Sequence, residues 1–350
     1  MKKIVNNIII LLLFSLYANG CSDGSRECQG TNATIANSEC KESNLSLPIL
    51  DDCQDGIRLV QGNSECIDAN EKSLVELNAT FTCSSGLVPL QGGGCTFSSS
   101  IEPMLNVSWY RPPTNTSWQW QLTGTVNTEY SVDIYDIDLF DSSKDLIDQL
   151  QNDGKKVICY FCAGSWESYR SDADSFPEEV LGSVLDGWED EKWLDIRNEK
   201  LIDIMKKRLD LAVEKGCDGV EPDNMDAYQN NSGFNLTAKD QLAYNKFIAN
   251  EAHERNLSVA LKNDLNQIVE LESYYDFSVN EQCYQYEECS YLQPFIDANK
   301  PVLTAEYADK YRHNTDGARD TLCSETINMK FKTLVLDLTL DDSFRYACDD

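Results

Sequence analysis

The sequence predicts an α/β fold: a (β/α)8 barrel of TIM type, preceded by a small disulfide-rich repeat module. Three observations carry this reading. From Trp109 onward, short apolar runs alternate with amphipathic helical stretches, the texture of repeated strand–helix units around a parallel sheet. Eight such runs fit in the 242 residues from Trp109 to Asp350, close to the ~250 residues of a typical barrel. No glycine-rich phosphate loop follows any of the runs, which argues against a doubly wound open sheet.

In chain order, residues 1–20 start with Lys2 and Lys3, continue as an apolar run from Ile8 to Leu16, and end on Ala18-Asn19-Gly20 before Cys21. A charged start, a short apolar stretch and small residues at the cut make a signal peptide. The run is too short to span a bilayer as a stable helix. Small residues directly before a Cys also resemble a bacterial lipobox, although Ala18 stands where that motif prefers Leu. The chain is therefore expected outside the cytoplasm, either secreted or anchored to a membrane by a lipid on Cys21.

Residues 21–105 form a polar, cysteine-rich segment. Cys53-Gln54-Asp55-Gly56-Ile57 with Gln61-Gly62 and Cys66 repeats as Cys83-Ser84-Ser85-Gly86-Leu87 with Gln91-Gly92 and Cys95. A degenerate third copy spans Cys28 to Cys40. Each copy holds two Cys, so three local disulfides are the simplest pairing, and a module this short needs such staples. A stalk or spacer is the default role, with glycan or partner binding as the alternative. Eight N-x-S/T sequons, headed by Asn32, Asn44, Asn78, Asn106, Asn115, Asn230, Asn235 and Asn256, matter only in a eukaryotic source.

Barrel strands are predicted over 118–122, 132–137, 157–162, 219–221, 258–261, 277–280, 302–305 and 333–338. Helices are predicted over 143–152, 199–215, 237–255, 266–274, 287–298 and 315–327. The fourth strand is expected to stop at Pro222, which has no N–H for a sheet ladder.

Composition narrows the function. The chain carries 59 acidic and 29 basic residues, a net charge of −30, which argues against nucleic acid and anionic lipid as partners. With only His253 and His313 present, a Ser-His-Asp triad or a His-based zinc site is improbable, so neither a metal nor another cofactor is expected. Fourteen Cys fit an oxidising compartment.

Barrel active sites lie at the C-terminal ends of the strands. Those ends read Asp136, Asp138 and Asp141; then Ser165, Trp166, Glu167 and Arg170; then Glu221, Asp223 and Asn224. Lys262 with Asn263, Asn280 with Glu281, and Glu306 with Tyr307 complete the ring. With Trp118, Trp120, Trp166, Trp188 and Tyr307 nearby, this describes an aromatic-floored, carboxylate-lined bowl. Such a bowl suits a sugar, because rings stack on C–H faces, acids take hydroxyls, and a carboxyl pair hydrolyses the glycosidic bond.

The barrel segment also resembles glycoside hydrolase family 114, the endo-α-1,4-polygalactosaminidases, over residues 109–350. The matching stretches are Trp118-Gln119-Trp120-Gln121-Leu122-Thr123-Gly124, Tyr135-Asp136-Ile137-Asp138-Leu139-Phe140-Asp141, and Val157-Ile158-Cys159-Tyr160-Phe161 leading to Ala163-Gly164-Ser165. Further on come Trp193-Leu194-Asp195-Ile196-Arg197, Pro222-Asp223-Asn224, Leu261-Lys262-Asn263 and Val279-Asn280-Glu281-Gln282-Cys283. Glu221 stands where the family usually has Asp, and Cys162 where Ser is common. The resemblance implies a (β/α)8 barrel and a catalytic pair at Asp223 and Glu281, acting on an α-1,4-linked galactosamine polysaccharide.

Around that pair, substrate contacts are expected from Asp136, Asp138, Trp118, Trp166, Glu221, Asn224, Lys262, Asn263, Glu306 and Tyr307. Asp138 can instead pack against a loop, and Lys262 can pair with either catalytic carboxylate. Arg170 and Arg197 read as loop-tying ion pairs. Cys283 with Cys289 and Cys323 with Cys348 are disulfide candidates. One pair among Cys159, Cys162 and Cys217 can bond, leaving a buried thiol. A monomer is expected. Non-catalytic sugar binding by the same bowl, or an adhesin that binds through its repeats, are the alternatives from other functional classes.

Overall fold

The computed structural model describes residues 57–60, 65–68, 74–76, 87–89, 95–104 and 108–349. The signal segment, Cys21 and the cysteine pairings expected between residues 21 and 95 lie outside these. The chain divides into two compact units, the first of residues 1–84 and 88–95, the second of residues 85–87 and 96–350. In the first, strands Ile57–Val60, Glu65–Asp68 and Leu74–Glu76 pair into a three-stranded antiparallel sheet. Among the described residues, no helix is long and apolar enough to cross a membrane.

The second unit is a TIM-type α/β fold. Eight parallel strands follow one another in chain order: β1 (Trp118–Gln121), β2 (Ile134–Asp138), β3 (Lys156–Cys162), β4 (Gly219–Asp223), β5 (Ser258–Lys262), β6 (Phe277–Glu281), β7 (Val302–Glu306) and β8 (Lys332–Leu336). A short β9 (Arg345–Ala347) runs antiparallel to β8. The helices are α1 (Lys144–Asn152), α2 (Lys200–Lys215), α3 (Ala238–Glu254), α4 (Ile268–Leu271), α5 (Gln293–Asp297), α6 (Asp309–Arg312) and α7 (Ala318–Asn328). Local chemistry sets their ends. Ser143 caps α1 by accepting the Leu146 N–H, Thr237 and Asp240 close a capping box on α3, and Gly216 ends α2 in the left-handed region at φ 89°.

Side chains on a strand alternate between its two faces, and the packing shows which face is which. Trp118, Trp120, Ile134, Ile158, Ala260, Phe277, Val279, Leu303 and Leu334 form one buried cluster. Its members come from every one of the eight strands except β4, so the sheet curls around them. The opposite face, including Tyr135, Ile137, Val157, Val220, Val259 and Leu261, packs under helix residues such as Leu150, Met205, Leu209 and Phe247. At the seam, Leu122 and Thr123 N–H groups donate to the Leu340 carbonyl. The Trp118 indole N–H donates to the Lys332 carbonyl, and Arg345 donates to the Trp118 carbonyl.

Several details differ from the sequence reading. Strand β4 does not end before Pro222. Its ladder to β5 covers only Gly219 and Val220, but its ladder to β3 continues through Pro222 to Asp223. The proline thus ends pairing on one side only, and Asp223 becomes the last residue of the strand. The helices expected over 266–274 and 287–298 are each broken by 3-10 turns, leaving α4 and α5 short. Between β3 and α2 an unpredicted antiparallel arm forms from Leu181–Leu185, Trp188–Leu194 and Ser165–Glu167, in that spatial order. Disulfides join Cys159 to Cys217, Cys283 to Cys289 and Cys323 to Cys348, and Cys162 remains a buried free thiol.

Gly164 lies where β3 hands over to the arm. A Cβ there would sit 1.7 Å from the Asn224 carbonyl oxygen, a backbone atom that cannot swing aside. Gly164→Ala should therefore destabilise the unit by about 1–3 kcal/mol, lowering the unfolding temperature by roughly 2–4 °C per kcal/mol. Thermal unfolding beside the parent protein checks this, and an unchanged midpoint would show slack at this strand end.

Candidate active site

The alternation that places Ile158, Ala260 and Val279 inside the barrel also carries inward the last residues of the same strands. These are Tyr160 and Cys162 on β3, Glu221 and Asp223 on β4, Lys262 on β5 and Glu281 on β6. Lys262 stands at the centre. Its Nζ lies 3.1 Å from Glu221 Oε1, 3.0 Å from Asp223 Oδ1 and 3.6 Å from Glu281 Oε2. It also sits 4.8 Å from the centre of the Trp120 ring and 5.6 Å from that of Tyr160. The lysine is buried, and burial alone would strip its proton, but the three carboxylates outweigh it and hold its pKa well above the ordinary value.

Each of the two expected catalytic carboxylates has a tyrosine of its own. Tyr160 donates to Asp223 Oδ2 at 2.7 Å, and Tyr307 donates to Glu281 Oε1 at 2.7 Å. Asn263, held at φ 51°, donates to Glu281 Oε2 at 3.2 Å and accepts the Glu281 N–H at 3.0 Å. Burial pushes Asp223 towards its neutral form, but Lys262 and the Tyr160 hydroxyl pull harder, and its pKa falls below the usual carboxylate value. The surroundings of Asp223 thus favour its anion.

Glu221 and Asp136 behave differently. Burial raises Glu221 to about 7 in spite of Lys262. Asp136 is fully buried, and burial together with the neighbouring Glu221 raises it well above its usual value. Neither Asp136 oxygen has a hydrogen-bond partner in the protein, and this environment favours its neutral form. Glu221 Oε2 in turn accepts the Trp120 indole N–H at 3.1 Å.

The other expected site residues are more dispersed. Trp118 begins β1 deep in the barrel, 2 % exposed, with its N–H spent on the Lys332 carbonyl. Trp120, two residues further along, is the indole at the cluster. Asp138 is clamped by Arg170 through both oxygens, at 3.0 and 2.6 Å, and accepts the backbone N–H groups of Phe140 and Asp141, so it ties a loop. Arg197 grips Asp195 in the same manner. Glu306 has the opposite parity to Tyr307 and turns away from Lys262. It accepts the Tyr284 N–H at 2.8 Å in the loop after Glu281, and burial raises it to about 7. Asn224, at φ 61°, donates to the Ser165 hydroxyl at 2.7 Å. Trp166 is half-buried on the arm, its N–H bonded to the Ala173 carbonyl.

Sequence reasoning gave no role to Tyr160, Cys162 or Glu191. Burial raises Glu191 to about 7, with Glu167 adding to the rise. Cys162, Glu167 and Glu191 bring a thiol and two carboxylates within 4.8 Å of one another. Arg170 at 2.8 Å and Arg208 at 3.9 Å from Glu167 already supply positive charge there, which works against a cation.

Residues 101–350 match glycoside-hydrolase family GH114. The chain belongs to this family. It is a glycoside hydrolase. Among solved structures, Aspergillus fumigatus Ega3 in complex with galactosamine is 40% identical, with a TM-score of 0.66, and the match covers 69% of this chain and 99% of that one. The glycoside hydrolase domain of PelA from Pseudomonas aeruginosa is 14% identical with a TM-score of 0.52, covering 64% of this chain and 96% of its own, and shares the fold alone. No curated protein sequence matches the chain.

Lys262→Met removes the cation that, among the described residues, faces Asp223. The Asp223 pKa should then rise, moving the acidic limb of the pH–rate profile to higher pH, and activity should fall on the order of a hundredfold. Rates across pH 3–8, with circular dichroism to confirm folding, check this; an unmoved limb would remove Lys262 from control of Asp223.

Proposed function

We propose that this glycoside hydrolase is an exported, endo-acting galactosaminidase that cleaves α-1,4-linked galactosamine-containing polysaccharide. Asp223 is the ionised nucleophile and Glu281 the proton donor. The observation that carries this reading is the single Lys262 ammonium shared by both carboxylates, nearer to Asp223 at 3.0 Å than to Glu281 at 3.6 Å. The nearer carboxylate is held as the anion, as a nucleophile must be.

Galactosamine as the sugar is supported by Ega3, whose structure holds galactosamine at 40% identity. It is supported again by charge. The segment from residue 106 onward carries 47 acids against 23 bases, and unacetylated galactosamine is a cation near neutral pH. An acidic mouth raises the local concentration of such a polymer. Export rests on the pattern of residues 1–20, and lipid anchoring on the small residues before Cys21.

Asp223→Asn and Glu281→Gln should each lower turnover on a galactosaminoglycan by about 10³-fold or more. Reducing-end release measures this, and near-parent turnover in either variant would exclude that residue from the mechanism. Partially deacetylated polymer should be cleaved better than fully acetylated polymer, mainly in kcat/KM. That advantage should shrink as salt rises from about 0.01 to 0.15 M, where the screening length falls from about 30 to 8 Å. Equal rates on both polymers, flat with salt, would mean that the acidity serves solubility only. Cys21→Ser should release the protein from membranes of a bacterial host; a parent protein already soluble, without acyl mass on Cys21, would rule out the anchor.

A further inference from the structure

We propose that Asn224, Cys162 and Tyr160 form a one-way chain of hydrogen-bond donors ending on Asp223, and that Tyr160 is the positioning residue that keeps this carboxylate an acceptor. The role given to Asp223 rests on the function proposed above; the hydrogen-bond chain itself rests on geometry.

Tyr160 and Cys162 share the inward face of β3, and the ladder to β4 sets Tyr160 beside Glu221 and Cys162 beside Asp223. The Tyr160 hydroxyl has a single proton, and its 2.7 Å bond to Asp223 Oδ2 uses it, because an ionised carboxylate has none to give. The 3.3 Å contact between the Tyr160 oxygen and Cys162 Sγ must therefore run from thiol to hydroxyl. Burial and the surrounding carboxylates hold the thiol in its protonated form, so it has a proton to donate. The other acceptor in reach of that proton is Glu191 Oε2, further away at 3.9 Å and already receiving the Ser165 hydroxyl at 3.0 Å. The Cys162 sulfur in turn accepts from the Asn224 amide at 3.8 Å. That amide has two protons and gives the other to Ser165. The three bonds from Asn224 through Cys162 and Tyr160 thus all point towards Asp223, while the second Asn224 proton leads through Ser165 to Glu191.

The groups facing Asp223 explain why a donor is needed there. Among the described residues, Lys262 from β5 is the one cation. Glu221 on β4, Glu281 on β6, Asp136 on β2 and Glu191 on the arm are acids. Tyr307 on β7 gives its proton to Glu281. Among the described residues, the Tyr160 hydroxyl is the side-chain donor on Asp223 besides Lys262, and it takes the oxygen that Lys262 does not. One oxygen is held by charge and the other by a hydroxyl, which fixes the rotation of the carboxylate as well as its ionisation.

The test uses the full chain and two readouts. With 13C-labelled protein, the Asp223 carboxyl signal, assigned by its loss in Asp223→Asn, is titrated in the parent, Tyr160→Phe, Cys162→Ala and Cys162→Ser. The midpoint should rise in Tyr160→Phe, rise less in Cys162→Ala, and return towards the parent in Cys162→Ser, whose hydroxyl restores the donor. On galactosaminoglycan, the acidic limb of kcat/KM for Tyr160→Phe should move the same way. Its kcat on that limb should drop roughly ten- to a hundredfold, while KM changes little. An Asp223 midpoint unmoved in a folded Tyr160→Phe, or a loss of activity uniform across pH with a raised KM, would overturn the proposal and leave Tyr160 as packing or a substrate contact. The titration needs no substrate, so a parent protein inactive on galactosaminoglycan would fail the proposed function without deciding this one.

Discussion

A buried ammonium among carboxylates organises this barrel mouth. Taking Lys262 out of water is costly, and the cost is offset only because Glu221, Asp223 and Glu281 converge on it from the two flanking strands, β4 and β6. The arrangement constrains everything around it. Strand β4 has to extend past Pro222 so that Asp223 can reach the lysine. Asn263 has to turn through the left-handed region to buttress Glu281. Excess negative charge is relieved by burial, which favours the neutral forms of Asp136 and Glu221.

The same arrangement divides the carboxyls by role. Asp223 and Glu221 lie two residues apart on one strand and face the same lysine, yet one is pulled below its usual value and the other is raised to about 7. The difference lies in their surroundings. Asp223 has the Tyr160 hydroxyl, which favours the anion, whereas Glu221 is raised by its burial and by the Asp223 charge beside it, more than Lys262 and Asp136 lower it. Environments that push neighbouring carboxyl groups apart are how one site offers acid and base together.

Much of this was legible in the sequence. The eight parallel strands lie within two residues of their expected positions at nearly every end, because short apolar runs between amphipathic stretches are a strong signal. Lys262 beside Asp223 or Glu281 followed once the family resemblance had singled out that pair among the strand ends. Direction was harder to read. Glu306 and Tyr307 are adjacent, and only the parity of β7, fixed by how the sheet curls, sends one outward and the other to Glu281. Trp118 and Trp120 have the same parity, and their depth in the barrel separates them. Tyr160 lay inside an apolar run and looked like core; spacing by two from Ile158 and Cys162 was its signal, and that signal means nothing until the inner face is known. The arm was hidden because Trp188-Glu189-Asp190-Glu191-Lys192 has no alternation to betray a strand.

The seam of the barrel has a kinetic consequence. The edge of β1 is satisfied by groups far along the chain: Trp118 is bonded to Lys332, 214 residues away, and to Arg345, 227 residues away. Contacts of such long range form late, since the intervening chain has to be ordered first. Until residues 332–345 dock, β1 presents bare carbonyls and two large indoles to any passing strand. Damage around Leu340 or Arg345, at the seam of the barrel, would therefore show itself less in the finished enzyme than in the fraction of chains that reach it.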